Sequence, residues 1–428
     1  MSENQATQTL KVHLETLSIP PTLELLEAAL SMHIKEDLAN AKLVYFVYLS
    51  GLTDSPMNAL LIGESSTGKT WLQCCVASLF PSEGTVALRD RYITVKGFSS
   101  PTAFYHERGE YDRENREFVI KCFPKVYSFL DMPNKSLLDK MKTLLSHDAH
   151  EISFTYTDPN GRSRTVKMVG WPTVIYATTD LKMTGELSNR QWIITPERCS
   201  EKWEAACALV AARERNPVEF DKTVNEDPAV KKLRQWAGFM LTKARNEGPY
   251  HIQIHDEQAV LQRFTGIAGK LQARSARDLA RIFSLVKTIA LFHGRNETTD
   301  GDVNEAFAIV HHIFECNIKG ISPAVAAFHQ DIIKPIQTEK GLAQDIERLE
   351  IRRKYRAVYG EPLDTYRYNA YITALEHHGL VELVPHPTHR GWNNIRPILD
   401  ESKEIRDTTH SAQVVEFPYI SQCLGDKP

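Results

Sequence analysis

The chain has 428 residues, too many for one ordinary hydrophobic core, so two or three domains are expected. Its 51 basic and 54 acidic side chains leave a net charge of −3, which excludes a globally basic nucleic-acid binder and leaves any such contact to local patches. Seven cysteines with no CxxC pair, no basic-then-apolar leader and no apolar run of bilayer length point to a soluble, reduced, cytoplasmic protein.

Residues 1–36 read as a polar start and a helical lead-in. From Pro21 to Leu52 apolar residues recur at helical spacing, predicting two helices that run into a buried strand, Ala59 to Ile62. Gly63, Gly68, Lys69 and Thr70 then fall on the G-x-x-x-x-G-K-[ST] pattern between that strand and an amphipathic helix over Thr70 to Phe80. The chemistry explains the spacing. The glycines let the backbone of Gly63, Glu64, Ser65, Ser66, Thr67 and Gly68 wrap a polyphosphate, amides face it at a helix N-terminus, and Lys69 adds charge. Thr70 offers a hydroxyl to Mg²⁺, so ATP and Mg²⁺ are the expected cofactors.

A strand at Tyr92 to Val95 and a Ser-Ser-Pro helix start at Ser99 to Pro101 follow. Two β-prone runs flank the charged turn Glu110 to Glu117, a candidate insertion hairpin with Arg113 and Arg116 at its tip. Lys125 to Asp131, KVYSFLD, is an apolar strand ending in an acid, the layout that brings a carboxylate to Mg²⁺ beside the phosphates. Asp131 is therefore the metal-side acid. The next position, where a water-positioning glutamate is usual, is Met132, which leaves hydrolysis slow unless Glu64 or a neighbouring subunit supplies a base. A helix over Lys135 to Leu145 precedes a second hairpin, Glu151 to Tyr156 and Ser163 to Val169, joined by Asp-Pro-Asn-Gly. Arg162, Arg164 and Lys167 cluster on its second arm as candidate DNA-binding residues for sequence-independent phosphate contact. An apolar strand, Thr173 to Ala177, closes this stretch.

Phosphate loop, acid-terminated strand, hairpin, a strand ending in Ala-Thr-Thr, and then ELSNRQWIITPE together resemble the AAA+ ATPases of the presensor-1 β-hairpin group. Within it the chain looks most like the minichromosome-maintenance helicases and their relatives on mobile elements. That resemblance implies an α/β P-loop core over 37–199, a helical lid over 200–320, a winged-helix domain over 321–399 and a polar tail over 400–428. It makes Thr179 (or Thr178) a sensor of the γ-phosphate and Arg190 an arginine finger offered to a neighbouring subunit. RSARDLAR with a following Thr-x-x-Asp-Val resembles the lid, carrying Arg277 over as a second sensing arginine and leaving Thr299 as a local N-cap.

After Pro323 to Ile336, a connecting helix, the order helix, helix, helix, strand, turn, strand suggests the winged helix. Asp364 caps its third helix, Gly379 ends it, Pro385 to Gly391 form its wing, and Arg352, Arg353, Lys354, Arg356, Arg367 and Arg390 give it a basic side. No stretch of the sequence resembles the N-terminal nucleic-acid-binding collar of the cellular helicases, so a mobile-element or viral version, or an ATPase adapted to another task, is expected. The expected activity is that of an oligomeric, hexamer-forming ATPase driving a DNA helicase or translocase, with single-stranded DNA in a central pore. The rival is an ATP-gated switch that assembles on DNA and recruits an effector or initiator without unwinding.

Overall fold

Near-continuous apolar runs belong to strands covered on both faces, and four such runs in this chain are wholly buried. The computed structural model describes residues 19–398, apart from 98–100, 133–136, 140–141, 143–144, 146–148, 158–160, 180–189, 198, 269–270, 272–273, 320, 342–343, 378 and 387–392. In chain order its strands are β1 (Ala59–Ile62), β2 (Ile93–Val95), β3 (Glu110–Asp112), β4 (Glu117–Lys121), β5 (Val126–Phe129), β6 (Glu151–Thr157), β7 (Ser163–Val169), β8 (Thr173–Thr178), β9 (Trp192–Ile194), β10 (Val381–Pro385) and β11 (Asn393–Pro397).

Five of them form a parallel sheet in the order β2-β5-β8-β1-β9. Parallel pairing throughout brings every C-terminal strand end to one edge, where ligand crevices of open α/β sheets lie. The fold is thus α/β, a parallel sheet flanked by helices and compatible with a P-loop protein.

Two helices, α1 (Leu23–Ser31) and α2 (Leu38–Ser50), precede β1 as the apolar spacing predicts. All but three of α2's residues are buried, as expected for a helix apolar all round. The rings of Tyr45 and Phe46 meet Phe292 edge-on at 5.8 and 5.5 Å. Truncating Phe46 to Ala should cost about 3–5 kcal/mol. Helix α3 (Lys69–Ala77) follows the phosphate-loop motif, and α4 (Pro101–Arg108) follows β2.

The two hairpins seen in the sequence are not separate. β3 and β4 pair antiparallel, β6 and β7 pair antiparallel, and β4 lies parallel to β7, giving a second sheet in the order β3-β4-β7-β6. Helix α4 packs between the sheets. Phe104 meets Tyr127 of β5 at 5.2 Å, while the next residue, Tyr105, meets Phe154 and Tyr156 of β6 at 5.3 Å each.

The helical part comprises α5 (Ser200–Arg215), α6 (Pro217–Glu226), α7 (Pro228–Glu247), α8 (Glu257–Ala268), α9 (Ser275–Phe292) and α10 (Asp300–Lys319). Thr299 and Asp302 cap α10 reciprocally, backbone N–H to side chain in each direction, at 2.7 and 3.4 Å. Then come α11 (Pro323–Phe328), a π-helical turn at His329–Ile333, α12 (Lys334–Lys340), α13 (Arg348–Tyr359) and α14 (Thr365–His377).

The chain divides into two compact units. The first runs to Gln330 and takes in Asp364–Ala374; the second comprises Asp331–Leu363 and resumes at Leu375. In the second, β10 and β11 pair antiparallel and Ile346 bridges to Ile395. The wing expected at Pro385 to Gly391 and Arg390 lie largely or wholly outside the described residues. Among the described residues no helix is long and apolar enough to cross a membrane.

Candidate functional site

The turn from β1 into α3 is where the phosphate-loop pattern sits. Gly68 takes φ = 89° and Ser66 φ = 64°, left-handed backbone that folds the loop back over its own start. A Cβ on Gly68 would meet nothing within 4 Å, so glycine is needed there for backbone angle rather than room. The Gly63 N–H is bonded to the Thr178 carbonyl of β8 at 3.3 Å. Helix α3 begins at Lys69 with no side-chain cap, leaving its first amides without a side-chain partner at a positive helix end.

Lys69 is buried, and its ammonium donates to the carbonyls of Gly63 (2.9 Å) and Glu64. Burial pushes its pKa below the ordinary 10.5, partly opposed by the Glu64 carboxylate. Thr67 Oγ1 donates to the Glu64 carbonyl at 3.0 Å, closing the turn. The Glu64 carboxylate pairs with Arg367 of α14 at 3.1 Å, a contact within the first unit. Glu64, the substitute base that the sequence offers, is therefore already engaged in an ion pair.

Behind the loop lies a buried ion pair that no motif announces. Lys202, in the first turn of α5, donates to Asp37 Oδ2 (2.7 Å), to the Glu197 carbonyl (3.1 Å) and to the phosphate-loop carbonyl of Thr67 (3.2 Å). Asp37 also accepts from the side chain of Asn40 (2.7 Å), whose own oxygen takes a bond from His312 of α10 at 2.8 Å. Gln73 of α3 is fully buried and donates to the Phe129 carbonyl at 3.1 Å, tying the phosphate-loop helix to the end of β5.

The other C-terminal strand ends stand at the same level. Phe129 pairs with Tyr176 and Ile62 with Thr178, so Asp131, two residues past Phe129, comes level with Thr178 and the start of the loop. With strands about 4.8 Å apart, β5 lies about 10 Å from β1. Asp131 and Thr179 are both exposed there, Thr178 is buried, and Met132 is 40 % exposed. The exposed Thr70 hydroxyl and Asp131 carboxylate are hard oxygen donors, Lys69 is a cation, and the α3 amides form an anion cradle. These residues fit a magnesium nucleotide.

Arg190 and Arg277 lie elsewhere. β9 runs parallel to β1 with Trp192 opposite Ala59, so Arg190, two residues earlier, is at the N-terminal edge of the sheet, away from its own phosphate loop. It donates to the Lys142 carbonyl at 2.7 Å. Helix α9 is anchored at the same edge: buried Arg281 bonds the Gln191 carbonyl and stands 4.9 Å over the Trp192 ring, while Arg277, one turn earlier, is exposed. Asn317 of α10 holds this edge strand by accepting from the Ile193 N–H (2.7 Å) and donating to its carbonyl (2.9 Å). An amide thereby does for β9 what a further strand would otherwise do.

The basic arm of the second sheet is divided. Strand alternation puts Arg164 on the inner face with buried Val166 and Met168, its guanidinium 5.8 Å from the Tyr111 ring centre, whereas Lys167 is on the opposite face paired with Glu151 at 2.8 Å. Arg162 is exposed beside Gly161, at the turn. The sequence shows three cations within six residues, but the pleat separates them and the cross-strand acid partly neutralises one.

A cluster of His293, Asp302 and Glu305 could geometrically hold a metal. Asp302, however, is already engaged by Arg295 and by the backbone and hydroxyl of Thr299, so the cluster serves as a helix cap. The sequence matches no protein-family model and is significantly similar to no curated protein.

Proposed function

We propose that this chain is an oligomeric P-loop ATPase of the AAA+ kind, acting as an ATP-dependent DNA helicase or translocase with a C-terminal winged-helix domain. The observation that carries the reading is the meeting of Lys69, Thr70, Asp131 and Thr179 at one edge of a parallel sheet, while Arg190 stands at the other and Arg277 is exposed on a helix anchored there through Arg281. A bound magnesium nucleotide supplies the free energy of γ-phosphate binding and loss. The chain's own part is to hold it. Loop amides and Lys69 would neutralise phosphate oxygens, Thr70 and Asp131 would hold the metal, and Thr179 would offer a hydroxyl to sense the γ-phosphate. Arg190, with Arg277, completes the site of an adjoining subunit in a ring, and Arg162 and Arg164 hold single-stranded DNA by its phosphates.

The test is ATP turnover by the purified chain with and without single-stranded DNA. DNA-stimulated hydrolysis lost in Lys69→Ala, with stimulation alone lost in Arg162→Ala/Arg164→Ala, is the expected result. Hydrolysis unaffected by Lys69→Ala would overturn the reading. Met132 favours a second reading, an ATP-gated assembly switch that recruits an effector or initiator, because slow turnover suits a timer. ATP-dependent assembly on DNA with turnover barely above background and no unwinding would select it.

A further inference from the structure

Lys202 belongs to none of the motifs above, yet it is the buried cation that touches the phosphate loop from behind. Its side chain is 10 % exposed, and its ammonium is set between the carboxylate of Asp37, a side chain 3 % exposed, and two carbonyls, those of Glu197 and Thr67. A trans peptide plane holds its C=O and the following N–H in opposite directions. Fixing the Thr67 carbonyl onto Lys202 therefore turns the Gly68 N–H the other way. That amide stands at the N-cap of α3, next to Lys69.

We infer that Lys202 is a positioning residue for the phosphate loop, with Asp37 as its anchor, aiming the Gly68 amide at the phosphates of the nucleotide. The inference rests on the nucleotide-binding reading above. Lys202 does not itself reach the ligand. It acts through the peptide it holds, and without it the Thr67–Gly68 plane is free to rotate, since Gly68 carries no side chain to resist the flip. Asp37 is fixed in turn by Asn40, and Glu197 donates its own N–H to Asp37 at 3.3 Å, so the anchor is preorganised on three elements.

Because the effect passes through a phosphate-facing amide, it depends on the phosphate chain. Replacing Lys202 by Met should weaken ATP binding about 10- to 100-fold, the worth of one hydrogen bond to a charged group. ADP should be weakened less and adenosine should be unchanged. Lys202→Arg, which keeps a cation in reach of Thr67 and Asp37, should restore most of the loss. Lys202→Ala, which also removes the donor, serves if Met at this position prevents folding as judged by circular dichroism.

The measurement is equilibrium binding of adenosine, ADP and ATP to the full chain, with Lys69→Ala run alongside. Equal weakening of adenosine and ATP, or ATP binding by a folded Lys202→Met or Lys202→Ala protein like that of the wild type, would overturn the inference. Failure of the wild type to bind ATP, or its unaltered binding by Lys69→Ala, would instead overturn the nucleotide reading beneath it.

Discussion

The strand register allows a direct test of a shared active site. Trp192 of β9 lies opposite Ala59 of β1, and the phosphate loop begins four residues past Ala59. At about 3.3 Å per residue that is about 13 Å, and Arg190 precedes Trp192 by two more residues, giving about 20 Å along the strand direction. No arginine side chain closes that gap, so Arg190 can serve only a nucleotide held by another copy. Arg190→Ala alone should lower turnover by roughly 10³- to 10⁵-fold, and Lys69→Ala should abolish nucleotide use in its own subunit. Mixed in equal amounts, the two inactive proteins should recover activity. An interface works only where an Arg190→Ala subunit lends the loop and a Lys69→Ala subunit lends the finger, which random mixing gives at half times half, about one quarter of interfaces. The assay is steady-state phosphate release from assemblies shown by differential tagging to contain both variants. If such mixed assemblies stay as inactive as their parents, Arg190 does not act in trans and the proposed division of the site is wrong.

Three further outcomes follow from the geometry. Asn317→Leu keeps volume but strips the Ile193 N–H and C=O of their buried partners, at about 1–3 kcal/mol each; thermal melting should fall by several degrees and amide exchange over 190–197 should quicken, and a shift under about one degree would refute the edge-strand role. His33 stands edge-on to Trp71 at 6.0 Å and near Phe220 at 6.1 Å, and burial holds its pKa below the ordinary 6.5. The unfolded chain then takes up the proton first, so stability should fall as pH drops from 6.5 towards the folded pKa, and His33→Phe should flatten that slope; a wild type that grows more stable on acidification across this range would contradict it. Met132→Glu should raise ATP turnover by about 10²-fold or more if the native site lacks a competent base, and an unchanged rate would mean that another group already serves.

Much of the fold was legible where the signal is local. β1 has the bounds that its apolar run suggests, β7 those that the hairpin turn before it suggests, and the phosphate loop lies between strand and helix as its spacing requires. The connecting helix expected over Pro323 to Ile336 is instead two helices around a π turn. Pro335 has no N–H to continue the ladder, and the wider turn at His329–Ile333 precedes it. The parallel pairing of β4 with β7 was invisible because alternation within a strand says nothing about a partner more than forty residues away. Lys202 was hidden for the same reason. In a helix otherwise largely exposed it reads as a solvated lysine, and only Asp37, 165 residues distant, makes it a buried one.

That pairing changes what movement of the basic arm can mean. A lone hairpin could swing on its turn, but β7 is locked between β6 and β4, and helix α4 fills the space behind them. The same helix turns Phe104 and Arg108 towards Tyr127 of β5, the strand that carries Asp131 at its end. Asp131, at the C-terminal edge of the parallel sheet, and the arginines Arg162 and Arg164 are therefore joined by a continuous packed body. A packed body of this kind does not bend in small increments, because its side chains are already in close contact. Any nucleotide-linked displacement of the arginines must then carry the second sheet and α4 as one piece, with the pivot where they meet β5. Replacing Phe104 by Ala, which touches neither nucleotide nor DNA in this reading, should loosen that joint. It should uncouple DNA stimulation from turnover while basal hydrolysis continues; stimulation that survives in a folded Phe104→Ala protein would show that α4 does not carry the motion.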